Sequence, residues 1–172
     1  MPNERSQTIK VLQLAIQMEV DGKAFYQKAS RESHNEMGKN LFATLAKEED
    51  LHRRKVEEIY QALSNKKAWP VVDFHPDKAH TIKTIFAQAL KEFNRPSASE
   101  LEAVQTAMDM EARSYDLYKS QVKTTAVIQK SFYEALAGEE RGHQLALVDY
   151  QEYLKDPASY FVAKEHPSLD GA

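Results

Sequence analysis

The chain has 172 residues, 28% of them charged and 42% apolar, with a formal net charge of −3 and no cysteine. That length is enough to bury a core without disulfide staples, and the lack of cysteine removes disulfides, thiolate zinc sites and cysteine-ligated iron–sulfur centres. Only 5 glycines and 6 prolines, about half the usual share, argue against a turn-rich β-sandwich or barrel. The mildly acidic balance argues against general nucleic-acid binding.

No apolar run approaches the ~18–20 residues of a membrane-spanning helix, and the opening MPNERSQTIK lacks the apolar core of a signal peptide. The expectation is a soluble, cytoplasmic, all-α protein.

Four stretches carry apolar residues every three or four positions, the period of an amphipathic helix. The first is predicted over 6–32, with Ile9, Leu12, Ile16 and Tyr26 on one stripe, and the second over 37–64, with Phe42, Leu45, Val56, Ile59 and Leu63. The third, over 98–123, shows Leu101, Val104, Met108, Tyr115, Tyr118 and Val122, with Ser97 or Ser99 as its cap after Pro96. The fourth, over 126–155, shows Phe132, Leu136, Leu147, Tyr150 and Leu154, and Pro157 closes it.

The first two helices are joined around HNEMG and the last two around KTTA, links short enough for antiparallel neighbours. A long connection over 64–96 separates the pairs, and Thr84 to Phe93 within it reads as a short extra helix. Such a crossover lets the second and third helices run parallel, as in ferritin-like bundles. The bundle is expected to fill 1–155, with 156–172 as a C-terminal tail.

The two halves repeat. Met18-Glu19 with Tyr26 recurs 92 residues later as Met110-Glu111 with Tyr118. Leu45-Ala46-x-Glu48-Glu49-x-x-His52 recurs 91 residues later as Leu136-Ala137-x-Glu139-Glu140-x-x-His143. Two hairpins related by a pseudo-twofold axis follow from this.

Glu19, Glu49, His52, Glu111, Glu140 and His143 all fall on the apolar stripes of their helices, so they project toward the core. Burying one unpaired carboxylate costs several kcal/mol, and four together also repel. Two divalent cations would balance the four negative charges, with neutral imidazoles completing the shell. At ~1.5 Å per residue the four glutamates return to a similar level of the bundle.

One Glu from each of two helices and a Glu-x-x-His from each of the other two is a di-iron or di-manganese arrangement. Glu49 and Glu140 would bridge the ions, Glu19 and His52 completing one site and Glu111 and His143 the other. Oxygen-rich ligands with one imidazole per ion suit iron, with manganese as the other choice.

The remaining candidates have plainer readings. Tyr26 and Tyr118, two turns from Glu19 and Glu111, read as core packing whose hydroxyls find a partner, with support of the ligands or electron relay as a second role. Glu48 and Glu139 sit one position off the stripe and are expected to be solvated. His34, His75, His80 and His166 fall in loops or the tail, and Trp69 is expected to anchor the crossover onto the bundle.

The doubled pattern resembles the ferritin-like di-iron domain of the rubrerythrin family over roughly 6–155. IQMEVDGKAFYQKA looks like its first ligand helix, and LFATLAKEEDLH and FYEALAGEERGH like its two Glu-x-x-His helices. The resemblance implies the same six ligands and a non-haem di-iron centre that reacts with peroxide or dioxygen in defence against oxidative stress. It also implies a homodimer.

Three features depart from the pattern. There is no four-cysteine rubredoxin domain, so an external electron-donor protein, rubredoxin-like or other, would be required. Ser114 stands where the family carries an extra Glu three residues after the third-helix ligand, a residue tied to peroxide reduction. The symmetric ligand set is similar to that of bacterioferritin, an iron-storing relative, but Asp50 stands where that protein has its haem-binding Met, so haem is not implied. The leading expectation is a di-iron oxidoreductase acting on H2O2 or O2. A ferroxidase taking Fe2+ as substrate, or a metal-binding bundle without turnover, are the alternatives.

Overall fold

The computed structural model describes residues 2–72, 98–123, 125–157 and 159–160. Four helices make up the fold: α1 (Pro2–Glu32), α2 (Glu36–Ser64), α3 (Ala98–Val122) and α4 (Val127–Lys155), with no strand among the described residues. The expected boundaries hold within a residue or two, except that α1 begins four residues early. Its extension starts on Pro2, a residue suited to the first helical position, and places Glu4 in the first turn, where the helix dipole favours an acid. Ser99 lies inside the first turn of α3 rather than before it. The expected helix over Thr84 to Phe93, Ser97, His75, His80, His166 and the tail beyond Tyr160 lie outside the described residues.

Contacts between helices set their directions. On α1 and α2, Gln13 meets Tyr60 while Lys23 meets Asp50, so the pair is antiparallel. On α3 and α4, Gln105 meets Gln151 while Glu111 meets His143, again antiparallel. Tyr26 with Glu111 and Tyr118 with Glu19 make α1 and α3 antiparallel too. Helices α2 and α3 therefore run parallel, the relation expected of a single-crossover topology.

The core divides into two apolar clusters. One holds Tyr26, Leu41, Phe42, Leu45, Val104, Leu147, Tyr150 and Tyr153. The other holds Leu12, Val56, Ile59, Tyr118, Phe132, Tyr133 and Leu136, with Trp69 packed against it. Trp69 lies over Phe132 and Tyr133, ring centroids 5.8 and 6.0 Å away, and so ties the start of the crossover to the bundle. Glu19, Glu49, His52, Glu111, Glu140 and His143 belong to neither cluster and are all buried.

A polar knot fastens the α1–α2 turn. Asn35 caps α2 by accepting from Gly38 N–H at 2.7 Å, and its amide donates to Glu100 at 3.0 Å and to Tyr150 at 2.9 Å. Ser33 and Tyr150 also donate to the buried Glu100 carboxylate. Gly38 is required here, because a Cβ would collide with Tyr150 Oη and Ser33 Oγ and lie 2.8 Å from Glu100 Oε1.

Candidate metal centre

The six stripe residues converge as their spacing predicts. Each is at most 4% exposed. They form two groups whose ligand atoms lie within 4.8 Å of one another: Glu19, Glu49, His52 and Glu140, and Glu49, Glu111, Glu140 and His143. Glu49 and Glu140 belong to both. The two imidazoles stack, ring centroids 5.4 Å apart and 12° from parallel.

Each imidazole turns Nδ1 inward. His52 Nδ1 is 3.1 Å from Glu140 and 3.5 Å from Glu19, and His143 Nδ1 is 3.1 Å from Glu49 and 3.4 Å from Glu111. Gly22, which occupies the α1 stripe between Glu19 and Tyr26, faces the Glu49 side chain, whose nearest atoms would lie 3.4 Å from a Cβ. A larger residue there would crowd a carboxylate shared by both groups.

Tyrosines brace the two outer glutamates reciprocally. Tyr26 of α1 donates to Glu111 Oε1 on α3, and Tyr118 of α3 donates to Glu19 Oε1 on α1. Burial and the surrounding carboxylates push both phenols well above their ordinary range, so they stay protonated donors.

Glu48 corrects the sequence-based expectation of a solvated side chain. It is buried, and its carboxylate lies 2.8 Å from His143 Nε2. Its counterpart Glu139 is half-buried and brings an oxygen within 4.8 Å of ring nitrogens of both His52 and His143. Position 48 is one residue off the inward stripe and so meets the flank of α4 rather than water. The signal was present in the sequence, since Glu48 and Glu139 share the 91-residue offset of the ligands. A carboxylate on the outer nitrogen fixes the ring's tautomer and orientation for a metal at the inner one.

Several polar atoms are left without partners. Glu19 Oε2, Glu49 Oε1, Glu111 Oε2, Glu140 Oε1 and His143 Nδ1 are buried with no hydrogen bond, a state that costs on the order of 1–3 kcal/mol per group and more for charged ones. One oxygen from every glutamate and one imidazole nitrogen thus converge on a common interior. The oxygen-rich donors with one nitrogen per group fit a pair of iron or manganese ions.

The buried carboxylates are not equivalent in their acidity. Burial pushes Glu49 and Glu140 well above the carboxylate range, and repulsion from the neighbouring glutamates adds to it. Burial alone would also raise Glu19 and Glu111. In Glu19 it is outweighed by the adjoining Glu49 and His52 and the hydrogen bond from Tyr118, and in Glu111 by the adjoining His143 and Glu140 and the hydrogen bond from Tyr26. Glu49 and Glu140, the two residues common to both groups, are thus the carboxyls pushed toward the protonated form. Burial would lower His143, but Glu111, Glu48 and Glu49 together hold it well above its usual value.

Outside this centre, Asp50 lies on the flank of α2. Lys23 at 2.7 Å, Arg53 at 3.1 Å and Arg54 surround it, and these cations hold it well below the usual carboxylate range. Ser114, half-buried, is the second-half equivalent of Gly22. His34 is exposed, as its place in a link predicts.

No helix among the described residues is long and apolar enough to cross a membrane. No curated protein and no solved structure matches the chain. The family model for Rubrerythrin matches residues 10–151, a span that takes in all six converging residues and both halves of the repeat. The match covers most of the chain, and with the four-helix topology it places this protein in the rubrerythrin family.

Proposed function

We propose that the six residues hold two iron ions and that the protein reduces hydrogen peroxide or dioxygen with electrons from an external donor. The observation that carries this reading is the pair of four-residue groups sharing Glu49 and Glu140, with unpartnered oxygens from all four glutamates turned to one interior. Glu19 and His52 would complete one site, and Glu111 and His143 the other. A pair of ferrous ions held there would supply the two electrons that the reduction needs.

The protein's own groups do the rest. Apolar clusters on both sides exclude water and strengthen every charge interaction within. Tyr26 and Tyr118 hold one oxygen each of Glu111 and Glu19, leaving the other free to ligate. Glu48 orients His143 from outside. To ligate, Glu49 and Glu140 would have to be deprotonated, against the burial that raises them. With no cysteine in the chain, re-reduction falls to a separate protein, and a cytoplasmic homodimer in oxidative-stress defence is part of the same reading.

Ser114 favours a second reading. No further carboxylate follows Glu111 by one turn, and a symmetric Glu4His2 set also suits oxidation of Fe2+ as substrate.

Anaerobic loading with Fe(II), then rapid mixing with H2O2 or O2, separates the two. Fast oxidation by peroxide with two irons retained per chain supports the peroxidase reading. Turnover of many Fe2+ ions per chain supports the ferroxidase, and oxidation no faster than that of free Fe2+ overturns both.

A further inference from the structure

Among the described residues, one aromatic file of phenols and an indole leads from the centre to the surface, and the other half has no equivalent sequence of rings. Tyr118, which donates to Glu19, stacks on Tyr133 with ring centroids 6.3 Å apart and 25° from parallel. Tyr133 in turn lies 6.0 Å from the indole of Trp69, which is half-buried at the bundle surface. In the pseudo-equivalent place Tyr26 stacks on Phe42 at 6.1 Å and 24°. Phe42 precedes Tyr133 by the same 91 residues that relate the ligand motifs. Beyond Phe42 the file continues through Tyr150 and Tyr153 to Tyr160, all buried. One half therefore offers phenol, phenol and indole in sequence and ends near solvent. The other is interrupted by a ring that resists oxidation, and its described members beyond that ring are all buried.

We propose that Trp69, Tyr133 and Tyr118 form a one-electron relay between the surface and the Glu19 side of the metal centre. The proposal rests on the di-iron reading above. Hydrogen peroxide needs two electrons and two protons to give two waters. Where one ferrous ion is present instead of two, iron supplies one electron and Trp69 the other. One Fe2+, one indole, one H2O2 and one proton thus give Fe3+, a neutral indolyl radical and two waters.

The side chains account for the proton. As Tyr118 gives up its electron, its phenolic proton moves along the existing hydrogen bond to Glu19. It returns when the electron from Trp69 arrives, and the indole N–H proton leaves to solvent. The Tyr133 hydroxyl is buried and has no hydrogen-bond partner, although a buried tyrosine usually finds one. With nowhere to send its proton, Tyr133 conducts without becoming the resting place of the radical. Trp69 is that resting place, and a one-electron donor in solution can reach it there.

Trp69 is the only tryptophan in the chain, which makes the test direct. The full chain is loaded anaerobically with one equivalent of Fe(II), its iron content measured, and a single addition of H2O2 made. Trp69 oxidation is then read by peptide mass spectrometry and by loss of indole fluorescence, and radicals by freeze-quench electron paramagnetic resonance. Wild type should give oxidised Trp69 in preference to Tyr133. Tyr133→Phe, which removes only an unpartnered hydroxyl, should lower that yield several-fold at unchanged iron content, and Tyr118→Phe should lower it several-fold per iron bound. Trp69→Phe should leave a longer-lived tyrosyl signal.

Equal Trp69 oxidation in wild type, Tyr133→Phe and Tyr118→Phe overturns the relay, as does an intact Trp69 in a chain that binds iron and consumes peroxide. A chain that binds no iron fails at the earlier reading, and the iron measurement reports that separately.

Discussion

The two hairpins are near copies at the ligands and diverge away from them. Glu19 and His52 are matched by Glu111 and His143, and the reciprocal bonds Tyr26–Glu111 and Tyr118–Glu19 match each other. The link into α2, by contrast, is capped by Asn35 and sealed by Glu100, Tyr150 and Gly38, whereas the link into α4 begins on Ala126 with no side-chain cap. Phe42 faces Tyr26 where Tyr133 faces Tyr118. Symmetry is kept where, on the proposed reading, two ions would receive equivalent ligands, and lost where each hairpin only has to hold its end of the bundle. The ends are thus free to differ in stability and in aromatic chemistry.

The largest expected effect touches both halves together. Without metal, Glu49 and Glu140 carry raised pKa values, so the folded chain keeps protons that the unfolded chain releases above about 4.5. That contribution to stability is fully present below the unfolded value and is lost as pH rises through the folded one. His143, also raised, acts in the same direction. Glu19 and Glu111 are lowered and oppose it, losing their contribution as pH falls. Melting of the metal-free chain should therefore weaken from about pH 5 toward 8. Stabilisation by iron should grow over that range, reaching about 4 kcal/mol at a thousandfold excess over Kd. Parallel pH profiles with and without iron would break the account of raised carboxyls at Glu49 and Glu140.

A smaller effect should fall on one half alone. Glu48→Ala removes the carboxylate behind His143 and should weaken metal binding at the Glu111 side about 10–100-fold, leaving the Glu19 side near wild type. Titration with separate resolution of the two ions checks this. Equal weakening of both would show that Glu48 acts on the centre as a whole.

The capped and uncapped links should respond unequally. Gly38→Ala forces a Cβ into Tyr150, Ser33 and Glu100 and should cost about 1–3 kcal/mol, as overpacking does. Gln129→Ala, at the equivalent place in α4, should cost well under that. Smallest of all, Ala126→Ser should supply the missing cap of α4 and add about 0.5–1 kcal/mol. Chemical denaturation of the three variants orders them.

The inward stripes made the topology and the six converging residues legible, because a charged residue in register with a core face needs a partner in the interior. The stripe misplaced Glu48, since a one-dimensional pattern treats the position beside it as solvent, while a bundle covers the flanks of a helix as well as its centre. Tyr26 and Tyr118 were legible as buried tyrosines, but not their crossed pairing, which needs α1 and α3 antiparallel. The Glu100 knot left no pattern at all. Its residues come from the α1–α2 link, the start of α3 and the end of α4, and only folding brings them together.

The central claim is that Glu49 and Glu140 serve two ions at once while Glu19 and Glu111 serve one each. Anaerobic Fe(II) titration of wild type, Glu19→Gln and Glu49→Gln tests it most directly. Two ions per wild-type chain, one retained at near-normal affinity in Glu19→Gln, and weakened binding of both in Glu49→Gln is the predicted result. A wild-type chain that binds no iron, or a Glu49→Gln chain that still binds two ions as wild type does, would contradict it.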